Sequence, residues 1–143
     1  MKREFVPYEM AVKLQELGFN EPCICGYDTQ KHLRSKLSHS QDEGVRIDWD
    51  KHDSHIPAPL WQQVTNWLRN VHKLNVFIGF RPNVKKWDVH SYDMKLNGKE
   101  YVKERTMEKY MNAKVYDDYR DALADGVEEA LTKITTQKDV KEN

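Results

Sequence analysis

The chain lacks the cysteines and the long apolar runs that would place it outside the cell or in a membrane. Its 143 residues include only two cysteines, Cys23 and Cys25, too few for the disulfide framework of a small secreted domain. No segment is long and apolar enough to span a bilayer, and no apolar leader core follows Met1. We therefore expect a cytoplasmic protein that has no membrane partner.

The chain also lacks an excess of charge of either sign. Lysine plus arginine and aspartate plus glutamate each total 23 residues, so the formal net charge at pH 7 is zero. Nucleic-acid-binding proteins usually carry a basic excess, because neutralising phosphates supplies much of their affinity. A nucleic-acid partner is therefore not expected.

Motifs of common enzymes are missing as well. The six glycines are scattered, and the chain has no phosphate-binding loop, dinucleotide-binding pattern, G-x-S-x-G or H-E-x-x-H. One residue separates Cys23 from Cys25, whereas zinc-binding pairs use a longer spacer and a second pair of ligands. Both thiols are therefore predicted to be buried and to pack as small apolar groups. Because these motifs are missing, we expect neither enzymatic chemistry nor a cofactor.

The sequence does contain clear helical and strand patterns. The first helix is predicted to begin near Pro7 and to end at Gly18 in a left-handed conformation, with Phe19 folding back on Leu14. A short strand is predicted at residues 21–27. Apolar residues at helical spacing predict a second helix from about Pro59 to Lys73.

Three antiparallel strands are predicted to follow the second helix. Their ranges are Leu74–Phe80, Lys86–Asp93 and Lys99–Lys103. Asn97-Gly98 is typical of a two-residue hairpin turn, which would pair Met94 with Tyr101. An apolar stripe predicts a last helix from about Tyr116 to Thr136, in which Gly126 permits close approach to a neighbouring element.

The segment from about residue 28 to residue 55 reads as a polar excursion. Leu33 and Leu37 have the spacing of a short helix, although a solvated loop fits equally well. Residues 44–49 alternate and could pair with the strand that contains Cys23. Lys31, His32 and Arg34 form a basic cluster that reads as solvated.

Together these patterns predict an α+β fold. We expect an antiparallel sheet of three to five strands with three main helices packed on one face. Residues 1–136 are predicted to form a single domain, and residues 137–143 a frayed tail.

Side-chain alternation assigns residues to the two faces of the sheet. One face, packed on the helices, is predicted to hold Leu74, Val76, Ile78, Phe80, Trp87, Val89 and Val102. The other is predicted to hold Phe77, His90, Tyr92, Met94 and Tyr101, with Arg81 and Lys86 at its end.

This second face is unusually rich in aromatics. Its candidate ligand or partner residues are Phe77, Arg81, Lys86, His90, Tyr92 and Tyr101. They would bind a protein, a second copy or a small acidic ligand such as a nucleotide, unless the chain's own polar segment covers them.

One segment is rich in groups that can bind metal ions. Asp48, Asp50, His52 and His55 are weak candidates for a metal site, because Asp and His suit zinc, manganese or iron. Pro57 and Pro59 follow closely, however, and oppose the helix that would place both imidazoles on one side. We expect a solvated loop without a metal.

Three stretches of the chain are informative about its lineage: EFVPYEMAVKLQELGFNEPC at the start, PLWQQVTNWLRNVHKLNVFI in the middle and YDDYRDALADGVEEALTKI near the end. They resemble small phage and prophage proteins, especially those of Bacteroidetes viruses. The resemblance implies a lineage but carries no active site.

These observations favour a non-enzymatic, phage-type accessory protein that acts through protein–protein binding or self-association, for example as a homodimer. The first alternative is a protein that binds or sequesters a small acidic nucleotide. The second alternative is a metal-dependent hydrolase that uses the Asp48–His55 cluster.

Overall fold

The computed structural model describes residues 2–35, 37–40, 44–47, 55–93 and 114–142. Within them, three main helices accompany antiparallel strands, so the predicted α+β class is confirmed. The helices are α1 (Tyr8–Glu16), α2 (Trp61–His72) and α3 (Tyr119–Glu142), preceded by a 3-10 turn at Lys2–Glu4. The strands are β1 (Cys25–Tyr27), β2 (Leu33–Ser35), β3 (Leu37–Ser40), β4 (Gly44–Ile47), β5 (Ile56–Ala58), β6 (Leu74–Arg81), β7 (Lys86–Asp93) and β8 (Val115–Tyr116).

The described strands form three sheets. Their orders are β2-β1-β5, β3-β4 and β6-β7-β8. Backbone proximity divides the chain into two compact units, residues 1–64 and residues 65–143. The single domain predicted for residues 1–136 stays a prediction.

The end of α1 has the predicted geometry. Gly18 is left-handed with a φ of 91°, and its N–H donates to the Gln15 carbonyl at 3.1 Å. The Phe19 N–H donates to the Leu14 carbonyl at 2.9 Å, and both of these side chains are buried. This pair of bonds is the Schellman motif, in which a residue beyond the helix closes over its last turn.

The first unit is tied together through its N-terminal segment. The Val6 N–H donates to the Pro59 carbonyl at 3.0 Å, and the Val6 carbonyl accepts from the Tyr27 hydroxyl at 2.7 Å. The Trp61 indole N–H donates to the Arg3 carbonyl at 3.0 Å. Burial raises the pKa of Tyr27, and Glu9 and Cys25 raise it further, so the phenol stays protonated and keeps donating.

The polar segment that begins at residue 28 contains no helix among its described residues. Asp28 opens a turn that joins β1 to β2, in which Tyr27 lies opposite Leu33. The Asp28 Oδ1 atom accepts from the N–H groups of Gln30 and His32 at 2.9 and 2.8 Å. These bonds compete with a helical start, because an aspartate side chain can satisfy nearby backbone donors in a turn.

The predicted pairing of residues 44–49 with the strand near Cys23 is wrong. The described part, β4, pairs with β3, where Leu37 lies opposite Ile47. β1 is flanked by β2 and β5 instead. A strand between two partners has no hydrogen-bonding edge left for a third.

Helix α2 begins two residues later than predicted, at Trp61. The Leu60 N–H donates to the Gln63 side-chain oxygen at 3.0 Å, which is half of a capping box. Trp67 and Leu68 are buried, as expected for its apolar face. Lys73 then adopts a left-handed φ of 58° and turns the chain into β6 without a glycine.

The second unit is built on the β6–β7 hairpin. Ile78 lies opposite Val89 and Phe77 opposite His90, which is the predicted division of faces. A Cβ atom on Gly126 would lie 2.7 Å from Val89 and 2.8 Å from Val76, so glycine lets α3 approach this sheet closely. The predicted role of Gly126 is confirmed.

The chain before α3 differs from the prediction. Val115 and Tyr116 form β8 on the edge of β7, and α3 begins only at Tyr119. Asp118 precedes the helix, and its carboxylate accepts from the Arg120 N–H at 2.7 Å. Asp118 is therefore the N-cap of α3, because its side chain satisfies a backbone donor of the first turn from outside the helix.

The end of α3 also differs. The helix continues to Glu142 and does not end at Thr136, so residues 137–142 are helical rather than frayed. The predicted turn at Asn97-Gly98, with Met94, Tyr101 and Val102 beside it, lies outside the described residues.

Candidate binding face

The outer face is the surface of the β6-β7-β8 sheet that points away from α3. Pleating places alternate residues of each strand there, opposite to the face that carries Val76 and Val89. Its residues with described side chains are Asn75, Phe77, Gly79, Arg81, Lys86, Asp88, His90 and Val115. The structure therefore places four of the six predicted partner residues, with described side chains, on one surface.

At the centre of the outer face lies a buried carboxylate, Asp88, whose side chain is 3% exposed. The Arg81 Nε atom donates to its Oδ2 atom at 2.6 Å, and the His90 Nε2 atom lies 3.2 Å from its Oδ1 atom. A buried charge is costly unless it is paired, so Arg81 and Asp88 require each other. The three side chains form a fixed polar cluster across two strands.

Gly79 makes this cluster possible. It lies opposite Asp88 in the hairpin, and a Cβ atom there would come within 2.5 Å of the Asp88 Oδ1 atom. Any side chain would therefore push the carboxylate from its place between Arg81 and His90. The space above Gly79 is filled by Asp88 and does not form an open cleft.

Phe77 stands beside the cluster and is directly opposite His90. The two ring centroids are 6.1 Å apart and the planes are tilted by 34°. Phe77 is 52% exposed, whereas the His90 side chain is 24% exposed. An exposed aromatic ring thus lies beside an imidazole that approaches a buried carboxylate.

The two predicted cationic residues are engaged within the protein. Arg81 pairs with Asp88, and the Lys86 ammonium pairs with the Asp117 carboxylate. Tyr92 pairs with Asn75 in the backbone register, while Tyr101 lies outside the described residues. The cations predicted to hold an acidic ligand therefore already have acidic partners.

A second polar cluster fastens β8 to α3 on the opposite face. Asp125 accepts from the Tyr116 hydroxyl and from the Lys114 ammonium, the latter at 3.1 Å. The Tyr116 and Lys114 bonds lower the pKa of Asp125, and the Asp125 bond raises the pKa of Lys114. Burial, together with Asp125, raises the pKa of Tyr116. This cluster explains how a strand of two residues keeps its place.

The basic cluster near residue 31 is exposed and is paired locally. The Arg34 Nε atom donates to Asp28 Oδ2 at 3.0 Å, and the Lys31 ammonium lies 4.8 Å from the centre of the Tyr8 ring. The backbone bond from His32 lowers the pKa of Asp28, and the bonds from Arg34 and Gln30 add to this effect. These charges stabilise the hairpin turn.

Most of the residues predicted as metal candidates lie outside the residues that the structure describes. Asp48, Asp50 and His52 lie outside the described residues, and His55 lies just before β5. Within the described ranges, no group of three or more His, Cys, Asp or Glu side chains is arranged to hold a metal ion. Cys23 and Cys25 are both buried, as predicted, and the Cys23 thiol donates to the Glu21 carbonyl at 3.4 Å.

Sequence reasoning missed Asp88 and Gly79 as members of the face. Alternation along β7 places Asp88 with His90, and the hairpin register places Gly79 opposite Asp88. A single acidic residue in a strand usually faces solvent, so nothing marked it as buried. The combination of a strand glycine opposite an acidic residue could have indicated it.

No family model, curated protein or solved structure matches the chain. Among the described helices, none combines the length and apolarity that crossing a bilayer requires.

Proposed function

We propose that the chain is a non-enzymatic binding protein that acts through its outer face, holding a protein partner or a second copy of itself. The phage or prophage setting of this proposal rests on the sequence resemblance alone. The observation that carries it is the exposed Phe77 ring, which lies next to His90 and the buried Arg81–Asp88 pair.

One physical argument supports a protein as the bound species. Aromatic side chains contribute much of the binding energy at interfaces, above all when their surroundings are rigid before binding. His90 Nε2 lies 3.2 Å from the buried Asp88 carboxylate, and Gly79 leaves room for that carboxylate, so Phe77 stands beside a packed polar cluster.

The alternative of a small acidic ligand has less support. It needs cations that are available to the ligand, yet Arg81 and Lys86 pair with Asp88 and Asp117. A nucleotide would have to displace these carboxylates and leave the buried Asp88 without its charge partner.

The test compares Phe77→Ser with Phe80→Ser. Phe80 lies on the same strand but on the opposite face, and it is 50% exposed, so it is a matched control. We expect Phe77→Ser to abolish self-association in light scattering, or retention of a partner from host lysate. Phe80→Ser should retain it, with circular dichroism confirming that both variants are folded.

The proposal fails if both variants behave like the parent protein. It also fails if only Phe80→Ser loses binding, because the opposite face would then carry the contact.

A further inference from the structure

We draw no further inference here: the strongest candidate, the partly exposed aromatic cluster of Phe80, Trp87 and Tyr119 where the sheet of β6, β7 and β8 meets the start of α3, carries nothing because nothing in the structure shows what covers it.

Discussion

Asp88 shows how a single position can organise a surface. It is 2% exposed, it pairs with Arg81, and it lies against a glycine that has no side chain to displace it. The strand alternation that places it on the outer face is visible in the sequence, but its burial is not. Burial depends on Arg81 folding across the hairpin, which local patterns do not encode.

Gly79→Ala should lower the free energy of unfolding by about 1–3 kcal/mol, the usual cost of overpacking a buried site. Without the clash, alanine would stabilise a strand slightly, because it restricts the unfolded chain. Phe77→Ala, on the same strand but half-exposed, is the control and should cost less. Urea denaturation measures both. A Gly79→Ala protein as stable as the parent would show that the Asp88 carboxylate is free to move.

At the scale of secondary-structure elements, local sequence patterns predicted the features that depend only on residues close together in the chain. The end of α1 was predictable because Gly18 and Phe19 complete a motif with Leu14. β2 and β3 were missed because strands of three or four residues carry no clear period, and β4 was predicted as a strand but with the wrong partner, because contacts distant in sequence define such short strands. β8 was missed because Val115 and Tyr116 precede acidic residues that resemble a helix start.

Helix α3 depends on close approach to the sheet at Gly126. Gly126→Ala should destabilise the protein by about 1–3 kcal/mol, because the new methyl group would meet Val76 and Val89. Thr132→Ala, on the exposed side of the same helix, is the control. It should stabilise the protein by about a few tenths of a kcal/mol, because alanine has a higher helix propensity than threonine. Thermal melts distinguish the two. A stabilised Gly126→Ala would mean that propensity outweighs packing.

The β1–β2 hairpin should carry part of the acid sensitivity. Hydrogen bonds lower the pKa of Asp28 in the folded state, the His32 backbone bond most of all. Its contribution to stability is therefore complete above its ordinary pKa and is lost as pH falls through the lowered value. Asp28→Asn should consequently flatten the loss of stability between neutral and acid pH.

Urea midpoints at a series of acid pH values measure this effect. Arg34→Gln removes a smaller cause and should keep most of the parent's pH dependence, because the backbone donors remain. Parallel pH profiles for the parent and Asp28→Asn would show that this turn does not contribute.

At the scale of the whole molecule, the sequence predicted the class but not the pairing. Helices and strands follow from periodicity, and both contributed to the α+β prediction. The distribution of strands over separate sheets follows from contacts between residues distant in sequence, such as Tyr27 with Ile56. The candidate face was predictable in part, because parity alone joins Phe77 with His90.

The balance of charge over the whole chain predicts its colloidal behaviour. With a formal net charge of zero at pH 7, molecules repel each other least near neutral pH, and solubility should be lowest there. Replacing Lys138 and Lys141, both exposed near the end of α3, with glutamate makes the chain acidic. The solubility minimum should then move to lower pH, which precipitation by polyethylene glycol across pH 5–9 measures. Lys138→Arg with Lys141→Arg keeps the charge and should keep the minimum. If the glutamate variant precipitates as the parent does, contacts through a specific surface such as the outer face limit solubility, and net charge does not.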